Sequence, residues 1–286
     1  MTGAEAVAEL EVGDRLGPYR LEERLGDGGM GIVFRAIREA DGEVVALKVL
    51  RPELAGDETY RRRFAREGHI AAGLSHRHLV PVLDAGEVDG HPYLAARYIA
   101  GRTLAQILES EGPLALSPLL RIAAEIATAL DTLHREGLVH RDVKPSNILV
   151  DTSGAAFLTD FGLARGAAAT VLTKPGHVVG TLDYLAPEVI QGAPAGPQAD
   201  TYALGCVTYA CIAGHTPFAG LPVAEAALAA MKKTPADPCA SRSELPGALS
   251  FAVLQALAKE PADRPPTAAA YALMLRISAR PVALDA

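Results

Sequence analysis

Apolar residues change their spacing partway along the chain. Before residue 101 they form short β-branched runs separated by turns, and Asp41-Gly42 is a strong hairpin signal. These runs predict strands at 19–25, 32–38, 43–50, 79–87 and 91–98. The charged segment 58–74 carries apolar residues at helical spacing and predicts one main helix among the strands.

Beyond residue 101 the apolar positions recur every three or four residues, which is typical of helices. They predict helices at 116–137, 200–213, 222–233, 249–259 and 267–277. We therefore expect an α+β protein with two lobes and a ligand cleft between them. The predicted segments are a flexible leader (1–18), a small β-rich N-lobe with one main helix (19–97), a hinge (97–101), a larger helical C-lobe (102–278) and a tail (279–286).

Composition narrows the class of protein. The chain has 286 residues, 49% apolar and 21% charged, which indicates a packed globular protein. Its net charge of −7 argues against nucleic acid or an anionic membrane as the main partner. Three cysteines without ligand spacing favour a reducing compartment over disulfides or zinc. We find no apolar run long enough for a membrane helix and no signal peptide, so we expect a cytoplasmic location.

The first candidate for chemistry is a glycine-rich segment. Gly26, Gly28 and Gly31 have the spacing G-x-G-x-x-G, which lets backbone N–H groups approach a phosphate. A dinucleotide fold needs a helix after the glycines, whereas the residues after Gly31 predict a strand. A flap over a nucleotide fits this order, and a plain glycine-rich hairpin is the alternative.

Lys48 lies in the apolar strand 43–50, where its ammonium group needs an anionic partner. Glu67, in the middle of the predicted N-lobe helix, is the natural candidate. The alternatives are a strand-edge lysine that reaches water and a solvated helix acid.

The segment from His140 to Asn147, followed by Asp160, concentrates polar groups between apolar strands. Asp142 can accept a proton from a hydroxyl nucleophile. Asn147 and Asp160 offer hard oxygen ligands that suit Mg²⁺. The alternative is that these residues only form turns.

Five motifs in a fixed order give the chain a family resemblance. They are the glycine loop, Val45-Ala46-Leu47-Lys48, His140-Arg141-Asp142, Asp160-Phe161-Gly162 and Ala186-Pro187-Glu188. Over residues 19–278 the chain resembles protein kinases. Its sequence from Asp142 to Asn147 resembles that of the bacterial eukaryotic-like Ser/Thr kinases of the actinobacterial group. The resemblance implies the bilobal protein-kinase fold. It also implies transfer of the γ-phosphoryl of ATP, with Mg²⁺, to Ser/Thr hydroxyls of protein substrates.

The resemblance also assigns roles to matching residues. Asp142 orients and deprotonates the hydroxyl, Lys144 steadies the phosphoryl group, and Asn147 and Asp160 hold Mg²⁺. Lys144 also favours Ser/Thr over Tyr substrates. The residues implied in ATP binding are Leu25, Gly26, Gly28, Gly31, Val33, Ala46, Lys48 with its partner Glu67, Arg97 and Ile99. Two matching positions are structural: Glu188 should pair with Arg264, and Asp200 should accept hydrogen bonds from the catalytic-loop backbone.

Regulation follows from the same resemblance. Arg141 is implied to be a buried cation that a phosphorylated activation loop, spanning 163–186, can satisfy. We predict autophosphorylation at Thr173, with Thr170 as a second site. The arginines at 61–63 and 66 form either a solvated basic face or a contact to the phosphorylated loop. Relatives often dimerise through the N-lobe, so the resemblance also raises an N-lobe homodimer as an arrangement for this chain.

The hinge departs from the family pattern. Ala96 stands at the gatekeeper position, where relatives commonly have Met, and Arg97 stands where an acid is common. Adenine recognition uses backbone groups near Arg97 and Ile99, so ATP binding should survive. The small Ala96 side chain predicts an open pocket that accepts bulky purine analogues.

Two other classes fit parts of the sequence. A pseudokinase or scaffold would bind nucleotide without turnover, but it normally lacks one of the catalytic residues. A small-molecule phosphotransferase normally lacks the Ala-Pro-Glu segment and the Gly-Thr pair of the loop. The kinase itself is either cytoplasmic or the cytoplasmic catalytic domain of a membrane receptor kinase.

Overall fold

The computed structural model describes residues 9–28, 31–160 and 182–280, apart from the side chains of Arg63 and Glu67. The chain divides into two compact units, Met1–Ala100 and Gly101–Ala286. The division falls inside the segment predicted as a hinge. The first unit is rich in strands and the second in helices, which confirms the predicted α+β class.

The first unit is built on an antiparallel six-stranded sheet with the order β1-β2-β3-β4-β6-β5. Its elements are β1 (Arg15–Leu16), β2 (Tyr19–Asp27), β3 (Gly31–Arg38), β4 (Glu43–Leu50), α1 (Pro52–Ala55), α2 (Glu58–Ala72), β5 (Val82–Val88) and β6 (His91–Arg97). Strand β1 pairs with β2, and Leu16 is buried in the sheet's core. The prediction of a flexible leader through residue 18 is therefore wrong for its last residues, because Leu16 gains apolar burial.

The two faces of this sheet have different environments. Because side chains alternate along a strand, Val45, Leu47 and Val49 of β4 all point into one apolar core. Leu50 and Leu94 belong to a second cluster, in which Phe64 of α2 packs against the opposite face. Helix α2 therefore covers the sheet face opposite to the main core.

The start of β3 requires glycine for a steric reason. Gly31 pairs with Leu50 of β4, and a Cβ at Gly31 would lie 2.5 Å from the backbone oxygen of Val49. A Cβ at Gly26, by contrast, would meet no atom of the described residues within 4 Å. The fold itself thus requires glycine at the third position of the motif and leaves the first position free to vary.

The second unit contains a three-stranded antiparallel sheet and a set of helices. Its elements are β7 (Gly101–Thr103), α3 (Leu104–Glu111), α4 (Leu116–Arg135), β8 (Ile148–Asp151), β9 (Ala156–Leu158), α5 (Pro187–Ile190), α6 (Pro197–Ala213), α7 (Val223–Lys232), α8 (Gly247–Ala256) and α9 (Ala268–Ser278), with short 3₁₀ turns at Pro145–Asn147, Leu182–Tyr184 and Pro261–Asp263. Helix α6 is almost entirely buried. None of the helices within the described ranges has the length and apolar character needed to cross a membrane.

A buried ion pair fixes α5 to the rest of this unit. The guanidinium of Arg264 donates two hydrogen bonds to the carboxylate of Glu188, at 2.8 and 2.7 Å. It also donates to three backbone carbonyls and lies over the Tyr202 ring, 4.9 Å from its centre. The predicted pairing is confirmed, and breaking such a buried pair costs about 3–5 kcal/mol.

We predict that Gly31→Ala lowers the free energy of unfolding by about 1–3 kcal/mol, because the added methyl group would overlap the Val49 carbonyl. Gly26→Ala is the matched control and should change it by less than about 0.5 kcal/mol. Urea unfolding followed by circular dichroism measures both. Equal losses for the two variants would contradict the steric explanation.

Candidate active site

The described part of the glycine loop is an extension of the β2–β3 hairpin. Gly26 pairs with Val33 and Asp27 with Ile32, and a register shift before Gly26 leaves Leu25 without a partner in the ladder. Leu25 is exposed. The N–H of Gly28 donates to the carbonyl of Gly31 at 2.8 Å, which links the two strands beyond the Asp27–Ile32 pair. The strand–loop–strand backbone is common to a plain hairpin and to a flap over a nucleotide, so the contact of the glycines with a nucleotide stays a prediction.

Lys48 lies on the sheet face that α2 covers. It pairs with Val33 on β3 and with Leu94 on β6, so these three side chains share one face. Ala46 pairs with Ala96 two residues away on the same face. Lys48 therefore lies next to Val33 and Ala46, two residues predicted to contact ATP, and next to Ala96 at the gatekeeper position.

Helix α2 brings Glu67 to this face through its backbone. The next residue, Gly68, packs so closely that a Cβ there would lie 2.9 Å from the Cβ of Ala85 and 3.5 Å from Leu94. Leu94 is the β6 partner of Lys48. The Glu67 side chain lies outside the described part, so the Lys48–Glu67 ion pair stays a prediction.

The predicted hinge contacts follow β6. The N–H of Arg97 donates to the carbonyl of Pro81 at 2.9 Å, and its side chain is exposed. Ile99 is half-buried. The fold uses the N–H of Arg97, so an adenine contact at this residue would have to involve its carbonyl.

In the second unit, three predicted site residues lie in direct contact. The Nδ2 of Asn147 donates to the backbone oxygen of Asp142 at 2.8 Å and to its Oδ2 at 2.9 Å. The Nζ of Lys144 lies 3.0 Å from the same Oδ2. Asn147 is held in place by the 3₁₀ turn, in which its N–H donates to the carbonyl of Lys144 at 2.9 Å. The Asp142 carboxylate is therefore fixed from two sides.

The backbone leading into Asp142 is held by a buried carboxylate. Asp200, in the first turn of α6, accepts hydrogen bonds from the N–H of His140 at 2.8 Å and of Arg141 at 2.9 Å. His134 of α4 contacts the same carboxylate at 2.8 Å. The predicted role of Asp200 is confirmed. These contacts hold Arg141 at a φ of +66°, a conformation that L-residues avoid unless the surroundings impose it.

His140 connects this loop to the strand before Asp160. Its ring is fully buried, and Nε2 contacts the carbonyl of Thr159 at 3.1 Å. A ring that donates there can accept the Asp142 N–H at Nδ1, 3.3 Å away. Burial lowers the pKa of His140, against the opposing effect of Asp200, which favours this neutral form. The N–H of Thr159 also donates to the carbonyl of Asn147 at 3.0 Å. The backbone immediately before Asp160 is therefore held by the same hydrogen-bond network.

The chemistry of the donor set fits Mg²⁺. Because Nδ2 of Asn147 is used on Asp142, Oδ1 is the amide atom this residue can offer a cation. Asp160, half-buried with a φ of +55°, supplies a carboxylate. Among the described residues, no group of three His, Cys, Asp or Glu side chains is arranged to hold a metal ion. Mg²⁺ needs fewer protein ligands, since it takes phosphate and water oxygens for the rest.

The expectation that the Arg141 side chain is buried is wrong. Arg141 is exposed rather than buried, because its contacts to Asp200 use the backbone N–H. Two of the α2 arginines have acidic neighbours: Arg61 pairs with Glu87 at 2.6 Å and Arg62 with Glu58 at 2.7 Å. This favours a solvated basic face. The predicted phosphorylation sites Thr170 and Thr173, and the motif residues Phe161 and Gly162, lie outside the described residues.

Two contributors to the site carry no sequence signal of their own. His134 resembles any helix residue, and Thr159 resembles any residue at a strand end. Their roles arise from hydrogen bonds that span 66 and 19 residues.

Comparison with known proteins agrees with this geometry. The sequence-family model of the protein kinase domain matches residues 19–272. The chain therefore belongs to the protein kinase family.

Its relatives define the class more closely. The serine/threonine-protein kinase PknE of Mycobacterium tuberculosis is 40% identical over 260 residues, covering 91% of this chain and 46% of PknE. PknD of the same species is 41% identical over 256 residues, covering 89% of this chain and 38% of PknD. The chain thus spans less than half the length of these relatives. The crystal structure of the M. tuberculosis PknI kinase domain superposes with a TM-score of 0.74 at 31% identity, covering 95% of this chain and all of that domain.

We predict that Asp200→Asn lowers kinase activity at least 10-fold, because the amide group places a donor against backbone N–H groups that also donate. Asp131→Asn is the matched control: Asp131 also accepts two backbone N–H groups, those of Ala268 and Ala269 at the start of α9. Both variants should lose about 1–2 kcal/mol of stability. Comparable activity losses in the two would mean that overall stability, not the catalytic loop, is responsible.

Proposed function

We propose that this chain is an ATP- and Mg²⁺-dependent serine/threonine protein kinase that activates itself by phosphorylating its activation loop. The observation that carries the proposal is the Asp142 carboxylate, fixed at Oδ2 by Asn147 at 2.9 Å and by Lys144 at 3.0 Å. A carboxylate held in one orientation, with an ammonium group beside it, suits proton abstraction next to a phosphoryl group.

In the proposed reaction, Asp142 accepts the proton of a substrate Ser or Thr hydroxyl. The hydroxyl oxygen forms a bond to the γ-phosphorus while the bond from that phosphorus to the bridging oxygen of ADP breaks. Lys144 stabilises the negative charge on the oxygens of the γ-phosphoryl group during its transfer, since its Nζ lies beside the carboxylate that receives the proton. Orientation and charge do most of this work.

Asn147 and Asp160 would hold Mg²⁺ through their side-chain oxygens. When bound, the ion neutralises charge on the phosphate oxygens. Asn147 also bonds to Asp142, so this one residue would connect the general base to the ligand set.

The residues of the first unit would bind the rest of the nucleotide. Backbone N–H groups at the hairpin tip, near Gly26 and Gly28, are proposed to contact phosphates, with Gly31 shaping the tip. Lys48, oriented by Glu67, would neutralise the α- and β-phosphates. The adenine would contact apolar side chains and hinge backbone, namely Leu25, Val33, Ala46, Arg97 and Ile99.

The proposed setting is the cytoplasm, where ATP is present and thiols stay reduced. Cys206, Cys211 and Cys239 are all free and buried in the structure, which agrees with a reducing compartment. A kinase implies protein substrates with Ser or Thr. A homodimer through the N-lobe remains part of the proposal by resemblance.

Asp142→Asn should lower phosphate transfer from radiolabelled ATP to a generic protein substrate by at least about 100-fold, because it removes the general base. Asp151→Asn, which changes a carboxylate at the end of β8 in the same unit, is the control and should stay near wild type. A wild-type protein that binds ATP without turnover would indicate a pseudokinase instead. Turnover on small molecules but not on protein would indicate a phosphotransferase.

Incubation with Mg-ATP should place phosphate mainly on Thr173, with less on Thr170. Mass mapping of tryptic peptides measures this, and Asp142→Asn treated identically should gain no phosphate. Phosphate found only outside 163–181 would show that the activation loop is not the target.

Ala96→Met should weaken binding of bulky N6-substituted or C3-benzyl purine analogues by at least 10-fold while changing ATP binding little. Ala96 pairs with Ala46 on the face that carries Lys48, so a larger side chain would occupy space next to both. Inhibition constants for analogue and ATP, measured in parallel, test this. Unchanged affinity for the analogue would contradict an open pocket at this position.

A further inference from the structure

Arg51 connects the strand of Lys48 to the tip of the glycine hairpin. It follows β4 directly and precedes α1. Its Nη2 donates to Oδ1 of Asp27 at 2.9 Å, and its Nε donates to the backbone oxygen of Gly28 at 3.3 Å. One guanidinium group therefore contacts a side chain and a main-chain atom of the loop at once.

Arg51 contacts the loop at the point where the pairing between β2 and β3 ends. Asp27–Ile32 is the last residue pair of the β2–β3 ladder on this side. Beyond it, the hydrogen bond from the N–H of Gly28 to Gly31 is the remaining main-chain link at the described tip. Arg51 adds a lateral attachment to β4 one residue past Leu50, the β4 partner of Gly31.

The charges at this position are also balanced in a particular way. Asp27 sits between two guanidinium groups, since Arg24 pairs with the same Oδ1. The hydrogen bond from Arg24 and, to a smaller extent, the charge of Arg51 hold the pKa of Asp27 below its usual value. The three side chains together carry one net positive charge. An Asp27 without these partners would place a negative charge beside the phosphates proposed to bind here.

We propose that Arg51 is a positioning residue for ATP, holding Asp27 and Gly28 of the glycine loop in place relative to the strand that carries Lys48. This inference rests on the proposed kinase function. Arg51 acts through the loop and needs no contact of its own with the nucleotide. Its loss should therefore raise the KM for ATP and leave kcat close to wild type.

The expected size of the effect follows from exposure. All three charged side chains are partly or fully exposed, and exposed ion pairs contribute modestly. We expect Arg51→Gln to raise the KM for ATP about 2- to 5-fold. Arg51→Lys should give a smaller rise, because an ammonium group can pair with Asp27 but lacks the planar fork that reaches Gly28 as well.

The control is an arginine of the same sheet with no contact to the loop. Arg38, at the other end of β3, pairs with Asp41 and Glu43 in the β3–β4 turn. Arg38→Gln removes a comparable set of exposed ion pairs and should leave the KM for ATP unchanged. Steady-state kinetics of wild type and the three variants, at low and at 1 M KCl, gives the comparison. High salt should narrow the gap between wild type and Arg51→Gln, because it screens the Asp27–Arg51 attraction.

A second measurement needs no nucleotide. Hydrogen exchange of the peptide containing Asp27 and Gly28 should be faster in Arg51→Gln than in wild type or Arg38→Gln, because the loop loses its attachment to β4. A wild-type protein without ATP turnover would refute the kinase proposal, and the exchange data would still test the attachment. A KM for Arg51→Gln equal to that of Arg38→Gln, a loss confined to kcat, or unchanged exchange would each overturn the inference.

Discussion

One buried carboxylate organises the catalytic half of the candidate site. Asp200 is 1% exposed, and a charge buried to this extent must be paired or fully hydrogen-bonded. Two backbone N–H groups and the His134 ring meet that requirement. Because both N–H groups belong to consecutive residues, His140 and Arg141, the carboxylate fixes the path of the chain just before Asp142. The unfavourable φ of Arg141 is a consequence of that constraint.

The first turn of α6 supports two parts of the second unit. Asp200 lies in this turn, where the N-terminal end of the helix favours a carboxylate. The backbone oxygen of Gln198, two residues earlier, accepts a hydrogen bond from Arg264 at 2.9 Å. Arg264 in turn holds Glu188 of α5. The backbone that leads into Asp142 and helix α5 are thus both attached to the first turn of one buried helix.

In the first unit, the candidate site residues are positioned by the register of the strands and not by a buried charge. Antiparallel pairing puts Val33, Lys48 and Leu94 on one face, and Ala46 with Ala96 beside them. A shift by one residue would turn all of these side chains to the other face. Gly31 protects the register at the loop end, since only glycine allows β3 to approach Val49 this closely.

Much of the fold was predictable because it depends on local patterns. The strand Glu43–Leu50 has the bounds that its apolar pattern predicts, and α2 ends only two residues early. Helix α3 was not predicted, although Thr103 and Gln106 form a capping box that signals its start. Strand β1 carries no such signal: its two residues are ordered by pairing with β2, which a local pattern cannot show.

The family and its catalytic motifs could be identified from residue types in a fixed order, and the resemblance then implied the pairing of Glu188 with Arg264. Asp200 was expected to hold the catalytic-loop backbone, but the contributions of His134 and Arg51 became visible only in the folded chain. The contact of His134 with Asp200 spans 66 residues, and that of Arg51 with Asp27 spans 24. Such contacts depend on where the chain returns in space, and hydrogen bonds between distant residues leave no periodic trace in the sequence.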